Sequence, residues 1–207
     1  MKCIKKLFII CMSVLLIFGV VGCADNTKEV TPIMFDGTNI PITITNTSSE
    51  KTVYIDPEII AKDLKPIGID SFTYSEWETE KVLDFLVPAK GKNVCSPKME
   101  ILQTRLVLGG INESDKEIKF ENARVFFLEI TASPLLQICG VGVGMHKDDI
   151  VAKYGAPSAE GTHEEGGSFE YNLLTHKGKS YSLAIAHDLD FKVTEVSLNI
   201  GNIPLFD

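Results

Sequence analysis

Three segments near the C-terminus alternate apolar and polar residues, and this alternation restricts the fold more than any other feature of the chain. Phe169, Tyr171 and Leu173 are separated by Glu170 and Asn172, Tyr181, Leu183 and Ile185 by Ser182 and Ala184, and Val196, Leu198 and Ile200 by Ser197 and Asn199. Successive side chains of a strand point to opposite faces, so each segment carries one apolar and one polar face. Strands of this kind form an antiparallel sheet with one wet side. Lys177-Gly178 and Asp188 to Asp190 supply the turns. The apolar face needs a cover, and the helix read over Met145 to Tyr154 is the nearest candidate. Asp148 and Asp149 suit the positive end of a helix dipole and Lys153 the negative end. Gly155 reads as the C-terminal cap, and Pro157 prevents continuation. Residues 140–203 are therefore expected to form a helix packed on an antiparallel meander.

Gly142-Val143-Gly144-Met145, Asp149-Ile150-Val151 and Tyr154-Gly155-Ala156-Pro157, followed by three alternating strands, make a recognisable order. It resembles the small outer-membrane-assembly lipoproteins and the β-lactamase-inhibitor-protein-like fold. A group of Gram-positive lipoproteins with the same tail is more similar still. The resemblance covers about residues 140 to 201 and implies a fold, not a function. Where that family has Ser or Thr before the helix, this chain has Met145.

The front half, residues 38–135, reads as a β-rich α+β domain. Ile40-Pro41-Ile42-Thr43-Ile44 alternates as a short strand, with Pro41 at a start or on an edge. Asn46-Thr47-Ser48-Ser49 is a turn cluster, and Lys51 to Ile55 completes a hairpin. Asp56-Pro57 has the composition of a helix start, with Ile59, Ile60 and Leu64 as its apolar stripe. Pro66 and Gly68 end that helix, whose expected span is Asp56 to Lys65. Strands are expected near Phe72 to Trp77, Val82 to Val87, Leu102 to Leu108 and Ala123 to Thr131, the third closed by Gly109-Gly110. The expected fold class is thus α+β, a C-terminal helix on an antiparallel β-meander preceded by a β-rich α+β half. Whether the front half is a diverged copy of the C-terminal unit, with Asp56 to Lys65 as its helix, stays open, as no clear internal repeat relates the two.

Residues 1–22 have another character. Lys2, Lys5 and Lys6 form a positive n-region, and Leu7 to Val21 carries no charge. This run falls short of the about 20 apolar residues that a spanning helix needs, and it suits the h-region of an export signal. Val20-Val21-Gly22-Cys23 resembles the lipobox of bacterial lipoproteins. The resemblance implies a diacylglyceryl group on Cys23 and a cut between Gly22 and Cys23. Several acyl chains anchor stably where one binds only marginally. Residues 23–37, polar and containing Pro32, read as the lipidated N-terminus and tether. The expected location is the extracytoplasmic face of a cell membrane, reached through the lipid anchor.

Residues 1–22 hold three of the 20 basic residues and none of the 28 acidic ones, so the rest carries a net charge of −11. An acidic chain argues against nucleic acid as a partner, because phosphate contacts need basic stripes. Only Arg105 and Arg124 are arginines, a lysine bias common in AT-rich genomes, which points to a Gram-positive source. Cys3 and Cys11 lie in the signal. Cys95 and Cys139 remain, either as a disulfide or as two separate buried thiols, since spacing alone cannot place them within bonding distance.

Chemistry-bearing patterns are sparse. Gly140-Val141-Gly142-Val143-Gly144 lacks the spacing of a phosphate loop and reads as a flexible connection. His163-Glu164-Glu165 and His187-Asp188-Leu189-Asp190 hold metal-capable side chains, but in turns, where such residues are ordinarily solvated. Trp77, Phe72 and Tyr74 fit either a ligand groove or a packed core. No serine, cysteine or threonine sits in a nucleophile motif. No cofactor, metal or catalytic residue is expected. The expectation is a lipid-anchored surface module that binds a protein partner in the envelope. The alternative is an envelope hydrolase of wall polymer or peptide with carboxylates or histidines converging in a cleft.

Overall fold

Thr43–Asn46 (β1) and Lys51–Tyr54 (β2) pair antiparallel, from Thr43 opposite Tyr54 to Asn46 opposite Lys51. Asn46 shapes the turn between them: its Oδ1 accepts from the amides of Ser48 at 3.0 Å and Ser49 at 3.2 Å. The structure, a computed structural model, describes residues 41–68, 73–74, 86–90, 93–95, 99–101, 104–176 and 179–201. The chain divides into two units, Met1–Thr31 and Pro32–Asp207, and all described elements belong to the second.

The front of that unit continues with β3 (Thr73–Tyr74), β4 (Leu86–Val87), β5 (Asn93–Cys95), β6 (Met99–Ile101), β7 (Thr104–Ile111), β8 (Ile118–Lys119), β9 (Arg124–Thr131) and β10 (Leu136–Ile138). Helix α1 (Lys147–Tyr154) follows, then β11 (Ala159–His163), β12 (Gly166–His176), β13 (Lys179–His187) and β14 (Val193–Ile200). The large sheet runs β11-β12-β13-β14-β9-β7-β6-β3, with β5 also on β7. A three-stranded sheet has the order β10-β1-β2, and β4 pairs with β8.

Register explains where the core lies. Tyr171, Leu183, Leu198, Leu128 and Leu108 stand opposite one another across β12, β13, β14, β9 and β7. Phe169, Ile185, Val196, Ile130 and Leu106 form the next row. All ten are buried and belong to one cluster with Ile42 and Ile44 of β1 and Leu136 and Ile138 of β10. Burying each such side chain is worth about 1.5–3 kcal/mol, so these rows dominate the packing energy.

This overturns the expected α+β class: the protein is mostly β, and its meander is not a separate unit closed by its own helix. The apolar rows pass from β14 straight into β9 and β7. Five strands span about 19 Å, whereas an eight-residue helix is about 12 Å long and covers two strands at most. Helix α1 accordingly buries only Ile150 and Tyr154. Much of the remaining cover comes from the β10-β1-β2 sheet, whose β10 touches both β9 and β14.

Three local expectations also change. Asp56-Pro57 starts no α-helix: Asp56 Oδ1 accepts from Glu58 N at 2.7 Å in a turn, and a 3-10 helix follows at Ala61–Ile67. Its Pro66 lies inside, and Gly68 ends it at φ 97°. Gly109-Gly110 does not close a strand but lies within β7. A Cβ on Gly109 would sit 2.7 Å from Phe126 Cζ, and one on Gly110 2.5 Å from Phe120 Cε2. Both glycines make room for rings. Finally, the helix cap is His146, not Met145, with Nδ1 accepting from Asp148 N at 3.2 Å.

Candidate functional site

The Gly140 to Gly144 run is no loose connection. Ile138 and Val141 exchange two backbone bonds of 2.9 Å around Cys139 (φ 55°) and Gly140 (φ 75°). Two positive φ values in a two-residue loop define a type I′ turn. Cys139 is a buried free thiol, pushed from 9.0 up to about 12, first by burial. The backbone of Cys95 lies opposite Gly109, but its side chain is outside the described residues, as are Gly22, Cys23, Phe72 and Trp77. Tyr74 is described in backbone only.

From this turn the chain passes to the tip of the β13–β14 hairpin. Gly144 N donates to Val193 O at 2.8 Å, Val193 N to Met145 O at 2.9 Å, and Lys147 N to Phe191 O at 2.9 Å. The hairpin tip is thereby stitched to the start of α1. Asp188 holds it from inside, with Oδ1 accepting from the amides of Asp190 and Lys192, both at 2.9 Å. Every polar anchor here is backbone or turn-forming, so the path of the tip is set by its own hydrogen bonds.

What the tip displays is apolar. Leu189 is 68% exposed and Phe191 50% exposed. Phe191 also holds φ 59°, a conformation rare for a bulky residue and costly unless the surroundings impose it. Its ring lies 5.3 Å from that of His187 and 6.2 Å from that of His146, centroid to centroid. The stack continues inward through Phe169 at 6.0 Å from His187. Phe169 in turn lies under the ammonium of Lys147, which bonds Glu160 at 2.7 Å.

A second turn borders the tip. A Cβ on Gly166 would meet His187 O at 2.0 Å, so the Glu164-Glu165 turn passes directly beside His187-Asp188. Three loops thus share one end of the sheet: His146–Asp149, Glu164–Glu165 and Asp188–Lys192.

The two histidine patterns are brought to this end, but to different environments. His187 is buried, its Nδ1 2.8 Å from Asp188 O, whereas His163 is exposed at the end of β11. Among the described residues no group of three or more His, Cys, Asp or Glu is arranged to hold a metal ion. Leu189 and Phe191 were missed by sequence reasoning. Their signal was present as two large apolar side chains flanking Asp190 inside a turn.

No family model, no curated protein and no solved structure matches this chain. Among the described residues no helix is long and apolar enough to cross a membrane.

Proposed function

We propose that the protein is a lipid-anchored interaction module on the extracytoplasmic face of a cell membrane, and that it holds a protein partner rather than catalysing a reaction. The observation that carries the binding role is the pinned hairpin tip, which keeps Leu189 and Phe191 in solvent on a hydrogen-bonded, strained turn. Exposed apolar groups on a pre-organised support lose little entropy on binding, which is how interface anchors reach high affinity. The anchor is the lipid on Cys23, supported by the n-region, the h-region and the Val20-Val21-Gly22-Cys23 box. Residues 24–37 tether the folded unit to it.

A photo-cross-linking side chain at position 189, with position 116 as an exposed control, tests the binding role in the intact envelope. A protein adduct specific to position 189 is expected. Identical adduct patterns at the two positions, or none, would count against the reading. The anchor is tested separately. Cys23→Ala should abolish palmitate labelling and leave a larger precursor, and a variant that still labels and matures refutes the lipid assignment.

A further inference from the structure

The three-loop end of the sheet also says what kind of partner it fits. Leu189 and Phe191 share this end with five exposed acids: Asp148 and Asp149 from the start of α1, Glu164 and Glu165 from the neighbouring turn, and Asp190 between the two apolar residues. The carboxylate of Asp148 lies 3.5 Å from His146 Nδ1, and among the described residues no lysine or arginine pairs with any of the five. The partly buried ammonium at this end, Lys147, is already matched by Glu160. Lys192 is the only other lysine of these three loops. This end of the sheet therefore presents an exposed apolar pair on loops with a strong excess of negative charge.

We infer that this surface binds a protein segment carrying an exposed apolar or aromatic residue flanked by lysines or arginines. The inference rests on the interaction-module reading above and adds the chemistry of the partner. An apolar centre supplies affinity, while complementary charge around it steers encounter and rejects acidic competitors. An anionic lipid surface is the poorer fit, because five carboxylates would face like charge with only one unmatched lysine to offset them.

Selection of a displayed random peptide library on the full-length protein tests the inference. The counter-selection uses the Leu189→Ser/Phe191→Ser double variant, which should fold, since neither residue belongs to the buried core. Surviving peptides should combine an apolar residue with flanking Lys or Arg. Their binding should fall about tenfold or more in the double variant. It should also fall with added salt and in Glu164→Lys/Glu165→Lys, which leaves the apolar pair intact. Survivors that are neutral or acidic, or that bind the double variant equally well, overturn the partner chemistry. So does a library yielding no discriminating peptide. Sedimentation with phosphatidylglycerol vesicles that depends on Leu189 and Phe191 would reassign the tip to lipid and overturn it as well. A cross-link from position 189 to a partner segment lacking basic residues would sink this inference alone, whereas no specific cross-link sinks the binding role itself.

Discussion

The hydroxyl of Tyr154, at the end of α1, donates to the backbone carbonyl of Cys139 in the type I′ turn. This bond joins the helix to a turn whose first residue holds a left-handed conformation without being glycine. The carbonyl is buried with Cys139, so removing the hydroxyl leaves it unsatisfied. Tyr154→Phe should lower stability by about 1–3 kcal/mol. Urea denaturation checks this, and an unchanged midpoint would show that the bond contributes nothing.

The same substitution on β13 should act in the opposite direction. Tyr181 is buried, and its hydroxyl finds no hydrogen-bond partner among the described residues. Burial, with Asp56 and Glu58 nearby, pushes its ionisation upward, so the group stays neutral and unpaired. Tyr181→Phe removes a buried polar atom while keeping the ring. Stability should stay level or rise by about 1 kcal/mol, and a clear loss in the same urea series would mean that the hydroxyl is satisfied.

Gly110 faces the Phe120 ring from β7, and an added methyl would overlap Cε2. Gly110→Ala should cost about 1–3 kcal/mol by overpacking. Adding Phe120→Leu should recover part of that cost, because the closest approach, 2.5 Å, is to the ring, with Ala123 Cβ next at 3.0 Å. A double-mutant cycle with no coupling would place the strain elsewhere.

These glycines show where sequence legibility stops. Alternation located β12, β13 and β14 because polar residues separate their apolar ones, and Gly155 marked the helix end because φ 84° suits only glycine comfortably. Gly109-Gly110 looked like punctuation, since nothing local reveals that Phe120 and Phe126 return to the same spot. Pairing of β14 with β9 is equally non-local: Leu198 carries no mark of Leu128 as its neighbour. The apolar face was legible, but its cover was not, and the nearest helix was credited with an area that β1 and β10 help to fill. At the candidate site the turn was readable from Asp188 to Asp190. The display of Leu189 and Phe191 was not, because exposure depends on the stitching to Gly144–Lys147.

Alkaline pH should weaken the fold. Burial raises Cys139 from 9.0 to about 12 and Tyr171 from 10.0 to about 12, and it also raises Tyr154. Below pH 9 both the folded and the unfolded chain keep these protons, and the stabilisation is complete. Between about 9 and 12 the unfolded chain releases protons that the folded chain retains, so unfolding becomes easier. Each fully released proton contributes about 1.4 kcal/mol per pH unit. Melting temperature should fall from pH 9 upward, and less steeply in Cys139→Ala. Equal slopes would show that the thiol does not ionise on unfolding in this range. Mass mapping of iodoacetamide-treated folded protein should find residue 139 unmodified at neutral pH.

The strained Phe191 allows folding and display to be separated. A non-glycine residue at φ 59° pays about 1 kcal/mol for the left-handed conformation, and asparagine tolerates it better than other residues. Phe191→Asn and Phe191→Ala both remove the ring and its stacking on His187, so the difference between them isolates the backbone term. The Asn variant should be the more stable by about 1 kcal/mol. Both should lose the adduct formed from position 189, because neither presents an aromatic side chain beside Leu189. Equal stabilities would mean that the turn relaxes without cost, and the case that the conformation is held for display would fall with it. If the Asn variant gains stability while the adduct disappears, then the native residue is kept at the expense of the fold for what its ring contacts.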